Sequence, residues 1–137
     1  PGQGQRYDLN YSKLIEKIAL VDTIVTHNLK EMSTTSFMIF HTALAYMARD
    51  YGLEQISFED EGKMPSPARM RDLVDLTRLK NMKVILVQAE YDIKSAGVLS
   101  DETGARLIVI NPMNPEWDKA VINISEALAG KSEKGDK

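Results

Sequence analysis

The chain has 137 residues, 43% of them hydrophobic, a formal net charge of -3 and no cysteine. That is one domain's worth of chain with apolar content for a single layered core, and it excludes disulfides and thiolate metal sites. The acidic balance, the lack of any basic run interleaved with aromatics, and the lack of an apolar run of ~20 residues argue against a nucleic-acid surface and a membrane span.

Residues 1 to 9 are rich in Gly and Gln and lack the charged and apolar regions of a signal peptide; they read as a poorly ordered lead-in, with Asn10 or Ser12 as the next helix's cap. From there Leu14, Ile18, Val21, Val25, Leu29 and Met32 recur at steps of three and four, and Ile15, Ala19 and Ile24 widen the stripe. This spacing predicts a helix over residues 10 to 32. A helix so long, entering a small sheet domain, has room to pack against something beyond it. His27 on this helix reads as a partly solvated side chain.

The run from Ser36 to Phe40 reads as a buried strand. At His41 the spacing becomes helical, with Leu44, Met47, Ala48 and Tyr51 on one face of a helix over 42 to 51 and Gly52 as its C-terminal stop. A second strand is expected at Glu54 to Phe58, followed by the polar loop Glu59 to Pro65. Ser66 and Pro67 then open a helix to about Lys80 as N-cap and first helical residue, with Met70, Leu73, Val74 and Thr77 inward. Lys83 to Val87 is nearly continuous in apolar content, as a strand covered on both faces should be, and Gln88 ends it. Asp92 reads as the cap of a helix that Gly104 terminates, and Arg106 to Ile110 as a fourth strand. Asn114 and Pro115 start a last helix with Trp117, Ala120, Val121, Ile124, Ala127 and Leu128 on one face. Residues 130 to 137 form a charged tail without periodicity, expected to be disordered.

Strands alternating with helices require crossover connections. The predicted fold class is therefore α/β, a four-stranded mostly parallel sheet with helices on both faces and right-handed crossovers, preceded by the end of a long helix. The expected organisation is a lead-in over 1 to 9, the helix over 10 to 32, one α/β lobe over 33 to 129, and the tail.

Each strand delivers polar side chains to its carboxyl end: His41, Glu59 with Asp60, Gln88 with Glu90, and Asn111. In an open α/β sheet ligands bind at that edge, so a cleft of imidazole, carboxylate and amide groups suited to a hard or borderline cation follows. The competing reading is that loops after strands are polar in any such domain. Phe40-His41-Thr42-Ala43 has no glycine and no P-loop or Gly-x-Ser-x-Gly occurs, so dinucleotide, nucleotide and serine-hydrolase chemistry are disfavoured. The adjacent acids Glu59, Asp60 and Glu61 read as a solvated loop before an acid-base pair.

Phe40 to Leu53, Pro65-Ser66-Pro67-Ala68, Lys83 to Val87, Lys94-Ser95-Ala96, Glu102-Thr103-Gly104-Ala105 and Ile110-Asn111-Pro112-Met113 stand in an order that resembles the C-terminal domain of the zinc- and manganese-binding solute-binding proteins of ABC transporters. The resemblance covers residues 10 to 129. It implies a two-lobed protein whose lobes are joined by one long rigid helix, with residues 10 to 32 as the end of that interdomain helix and an N-terminal lobe outside this chain. In that family two histidines come from the N-terminal lobe, a third ligand follows the first strand of the C-terminal lobe, and a carboxylate follows its last strand.

By position His41 matches the third ligand, and a histidine there is more similar to zinc-type than to many manganese-type members. The fourth position departs from the pattern: Asn111-Pro112-Met113 stands where an aspartate before Pro-Leu is common, and Gln88 stands where many relatives carry glutamate. Asn111 is then a neutral candidate ligand and Glu59 a loop acid that would complete the site. The resemblance implies Zn²⁺, with Mn²⁺ the alternative, captured in the full-length protein and passed to an ABC permease, no enzymatic activity, and a periplasmic or lipid-anchored location. Zinc sites use about three or four protein ligands, and this lobe offers one good imidazole plus, at most, a neutral amide and a loop acid, so alone it is expected to bind Zn²⁺ weakly or not at all, with His41 partly exposed and its other ring nitrogen on a backbone carbonyl or water. The bare face of the first helix near Leu14 and Ile15 is expected to meet the missing lobe or a second copy of this chain. The alternative function is an adhesin-like interaction module that keeps the family fold with a degraded ion site.

Overall fold

The computed structural model describes residues 2–91 and 93–131. Its elements run α1 (Gly2–Lys30), β1 (Ser36–Ile39), α2 (Ala45–Asp50), β2 (Glu54–Ser57), α3 (Pro67–Leu79), β3 (Val84–Gln88), α4 (Lys94–Thr103), β4 (Arg106–Ile110) and α5 (Trp117–Leu128). The four strands form one sheet in the order β2-β1-β3-β4, and every pairing is parallel. The α/β class and the helices on both faces are as the alternation requires.

Successive side chains of a strand point to opposite faces, and β1 and β3 divide accordingly. Phe37, Ile39, Val84 and Leu86 join Val21, Val25 and Leu29 of α1, Ala48 of α2, and Ile124 and Leu128 of α5 in one core. Met38, Ile85 and Val87 join Leu73 and Val74 of α3 and Ala96 and Leu99 of α4 in the other, together with Phe40 just past β1. The step from β1 out to β2 uses a helix on the first face. The steps towards β3 and β4 run the other way and use helices on the second. One handedness throughout demands this alternation.

Local chemistry fixes the element ends. The Ser66 hydroxyl accepts from the Arg69 N–H and Pro67 follows it, as the cap-and-proline pair predicts. Gly104 closes α4 in the left-handed region at φ 74. Asp92, the expected cap of α4, and residues 132 to 137 of the expected tail lie outside the described residues.

Two expectations are corrected. The lead-in is helical: α1 begins at Gly2, not near residue 10. No proline or β-branched residue stands between 2 and 14, and glycine's cost of about 1 kcal/mol falls in the opening turn, where a helix nucleated downstream propagates backwards one hydrogen bond at a time. The helix after His41 is shorter than 42 to 51. The Leu44 N–H donates to Gln55 Oε1 at 2.9 Å and the Ala43 N–H to the His41 carbonyl at 2.7 Å, so residues 42 to 44 turn rather than wind.

Within α1, residues 2 to 20 are all exposed and Val21 is the first buried residue. Lys17 reaches Asp118 at 2.9 Å, beside the Trp117 ring, while Asn28 donates to Ser125 Oγ at 2.9 Å. Both helices therefore run the same way, with Lys17 level with the start of α5. The part of α1 before Lys17 stands beyond the carboxyl edge of the sheet by about 20 Å at 1.5 Å per residue.

Candidate metal centre at the carboxyl edge

β1, buried along its whole length, delivers His41 to the point where the sheet's connections diverge: the chain leaves β1 towards β2 on one side, and β3 leads to β4 on the other. That divergence opens a crevice at the carboxyl edge. The β1–β2 register pairs Ile39 with Ser57, and the Glu59 N–H donates to the Phe40 carbonyl at 3.2 Å. Carried two residues on, the register sets His41 opposite Glu59 on the same face, and His41 Nδ1 pairs with Glu59 Oε1.

The loop after Glu59 doubles back at once. Asp60 and Lys63 exchange backbone hydrogen bonds of 3.0 and 2.9 Å, with Glu61 at φ 50 and Gly62 at φ 76 between them. Positive φ at both central residues is the two-residue hairpin geometry that glycine favours and glutamate resists. A Cβ at Gly62 would stand 3.9 Å from Glu59 Oε2, so the turn closes over the carboxylate.

A carboxylate accepts and cannot donate, so a neutral imidazole paired with it carries its hydrogen on Nδ1 and its lone pair on Nε2. Nε2 has no partner among the described residues, and the His41 side chain is 49% exposed. The expected exposure is met; the ring's partner is a carboxylate rather than a backbone carbonyl or water. Tyr91 walls the ring at 6.2 Å between centroids and leans on Phe40 at 4.8 Å.

The other strand-end residues divide. Glu59 is engaged with His41 rather than offered separately to an ion. Gln88 is 1% exposed and turned inward onto the His41 backbone, while Glu90 is exposed. Asn111 is exposed, and its Oδ1 accepts from the Met113 N–H at 3.1 Å, closing a local turn. β4 lies two strands from β1, about 10 Å away at the usual strand spacing, with β3 between them. No group of three or more His, Cys, Asp or Glu side chains among the described residues is placed to hold a metal ion. Sequence reasoning named His41 and Glu59 separately; the register signal that joins them needs the strand pairing, which sequence spacing does not supply. His27, in the last turn of α1, is exposed and lies 3.5 Å from Glu31.

The model of one protein family, zinc-uptake complex component A, periplasmic, matches residues 1–128. The zinc-binding protein AdcA of Streptococcus pyogenes serotype M3 is 30% identical over 121 residues, covering 87% of this chain and 24% of its own length. The high-affinity zinc uptake system protein ZnuA of Bacillus subtilis is 29% identical over 115 residues, covering 82% of this chain and 36% of its own. A crystal structure of ZnuA superposes with a TM-score of 0.86 at 25% identity, over 92% of this chain and 49% of that one. The chain thus spans between a quarter and a half of the length of these relatives. Among the described residues, the five helices and four strands all fall within or end at the matched span, and the chain belongs to the zinc-uptake complex component A family.

Proposed function

We propose that this chain is the carboxyl-terminal lobe of an extracytoplasmic zinc-capture protein that hands its ion to an ABC permease, and that His41 is the ligand this lobe supplies. The observation that carries the reading is the His41–Glu59 pair: Nδ1 is held by a carboxylate and Nε2 is left without a partner among the described residues, at the diverging point of the sheet. Zinc-ligating histidines are oriented in this way, with the second ring nitrogen held by a carboxylate or carbonyl. Glu59 then acts behind the imidazole instead of on the ion. Asn111 joins as a ligand only by sharing the oxygen that closes its own turn. The remaining ligands come from the N-terminal lobe of the same protein, and capture and release need no catalytic step.

Zinc sites use about three or four protein ligands, so the 137-residue chain alone binds Zn²⁺ weakly or not at all. Calorimetric titration with Zn²⁺ tests the reading. The full-length protein binds tightly, and His41→Ala lowers its affinity by more than the 10–100-fold typical of losing an outer-shell partner. An unchanged affinity in His41→Ala removes His41 from the site. Submicromolar binding by the isolated chain, abolished by His41→Ala, would mean that ligands within this lobe complete the site.

A second reading is favoured by the Asn111 turn, which spends the side-chain oxygen at the position where the family places a carboxylate. In this reading the fold serves as an adhesin-like interaction module whose ion site no longer works. Absence of zinc binding by the full-length protein selects it.

A further inference from the structure

Gln88 is the last residue of β3, and its side chain is among the most completely buried in the molecule, at 1% exposure. A buried primary amide must satisfy donors and an acceptor, and leaving them unmade costs about 1–3 kcal/mol. Gln88 directs both ends to one residue. Its Nε2 donates to the His41 carbonyl at 2.7 Å, and its Oε1 accepts from the His41 N–H at 3.4 Å. These two contacts begin where the ladder stops, since the Phe40 N–H is the last β1-side donor to reach β3, at Leu86 O. The His41 carbonyl is bonded a second time by the Ala43 N–H, at 2.7 Å, in the turn that directs the chain out of the sheet.

We propose that Gln88 is a positioning residue for His41: its amide brackets the His41 peptide groups and so sets where the imidazole leaves the sheet and meets Glu59. The pairing extends the sheet by one residue through a side chain. An amide suits the task because it donates and accepts at once, whereas a carboxylate only accepts and would face the His41 carbonyl without a proton to offer. With the backbone held by Gln88 and Nδ1 by Glu59, the ring is fixed at both ends. A site that must hold a ligand to within about 0.5 Å needs such support on a rigid element. The consequence for metal binding rests on the reading of His41 as a ligand; the positioning itself does not.

The experiment uses Gln88→Met, which keeps nearly the same volume and removes both hydrogen bonds. The chain has two histidines, so ¹⁵N imidazole spectra of the 137-residue protein give two resolvable rings, with His27 as internal reference. At a pH where the imidazole is neutral, His41 of the unaltered chain shows one protonated and one lone-pair nitrogen. In Gln88→Met the two nitrogen shifts converge as the ring loses Glu59, while His27 and the strand amide signals of β1 and β3 stay in place. In the full-length protein the same substitution lowers Zn²⁺ affinity by about 10–100-fold, less than His41→Ala does. His41 nitrogen shifts unchanged in Gln88→Met overturn the proposal. Shifts that converge while neither substitution changes zinc affinity sustain the positioning role and overturn the assignment of His41 as a ligand. Should Gln88→Met fail to fold, the unaltered chain decides: slow solvent exchange of the Gln88 side-chain protons with cross-peaks to the His41 backbone supports the bracket, and fast exchange overturns it.

Discussion

The two halves of α1 carry one apolar stripe and meet opposite fates. Val21, Val25 and Leu29 lie in the core under the sheet, while Leu14 and Ile15 are each 46% exposed and Tyr7, Leu9 and Tyr11 more so. Nothing in residue type or spacing separates the halves. What differs is the cover: α5 runs beside residues 17 to 30, the core takes Val21, Val25 and Leu29 from that stretch, and residues 2 to 16 extend past both. Periodicity therefore reports which side of a helix is apolar and is silent on what covers it.

Substitutions along this gradient test the comparison. The largest effect belongs to the core under the buried half: Phe37, 1% exposed, packs in the α1 cluster, and Phe37→Ala costs about 3–5 kcal/mol in urea unfolding. A loss below about 1 kcal/mol would show that this core does not anchor α1.

Tyr51 marks the boundary. Its hydroxyl donates to Asp22, one residue past the first buried position of α1. Burial first, and then Asp22, push the Tyr51 hydroxyl up to about 12. A group whose folded value is raised contributes stability below its ordinary value near 10, and that contribution fades as the pH climbs through 12. Tyr51→Phe thus loses about 1 kcal/mol at pH 7 and shows a shallower decline in stability between pH 10 and 12 than the parent, read from denaturant midpoints at each pH. Parallel declines would uncouple Tyr51 from the alkaline transition.

A smaller effect is expected at the latch. The Lys17 ammonium beside Asp118 holds that carboxyl below the usual carboxylate range. A lowered value contributes stability above the ordinary aspartate range that is lost as the pH falls, so Lys17→Met removes a slight acid-side slope and leaves neutral stability nearly unchanged. The least effect falls on the overhang. Leu14→Ser changes stability by under about 0.5 kcal/mol in this chain, since surface substitutions away from packed features do little. Light scattering is the sharper measurement there, because Leu14→Ser reduces any self-association through the bare stripe. A cost of 2 kcal/mol or more would mean that Leu14 has a partner within the lobe.

Much of the architecture is legible from residue pattern: β4 ends where its apolar run ends, α3 starts at Ser66-Pro67, and α4 stops at Gly104. The start of α1 is not, because Gln and Gly near a terminus look like lead-in chain unless one knows that a strong helix begins just downstream. In the candidate site, His41 is legible because the period changes beside it. The jobs of Glu59 and Gln88 are hidden, since a polar residue after a strand looks alike whether it faces solvent, a ring nitrogen or a neighbour's peptide group. Strand order decides between those fates: Glu59 and Gln88 flank His41 because β2 and β3 flank β1, and Asn111 is set apart because β4 does not.

The overhang also gives α1 the mechanics of a lever. Tyr7 lies fourteen residues before Val21, an arm of about 20 Å, so a tilt of roughly 5° at the buried end carries the tip about 2 Å. Motion is multiplied outward and force is multiplied inward by the same ratio. A partner that grips the tip therefore works against the Lys17–Asp118 and Tyr51–Asp22 contacts near the fulcrum, which resist with short arms. Weakening either contact softens the lever without touching the sheet.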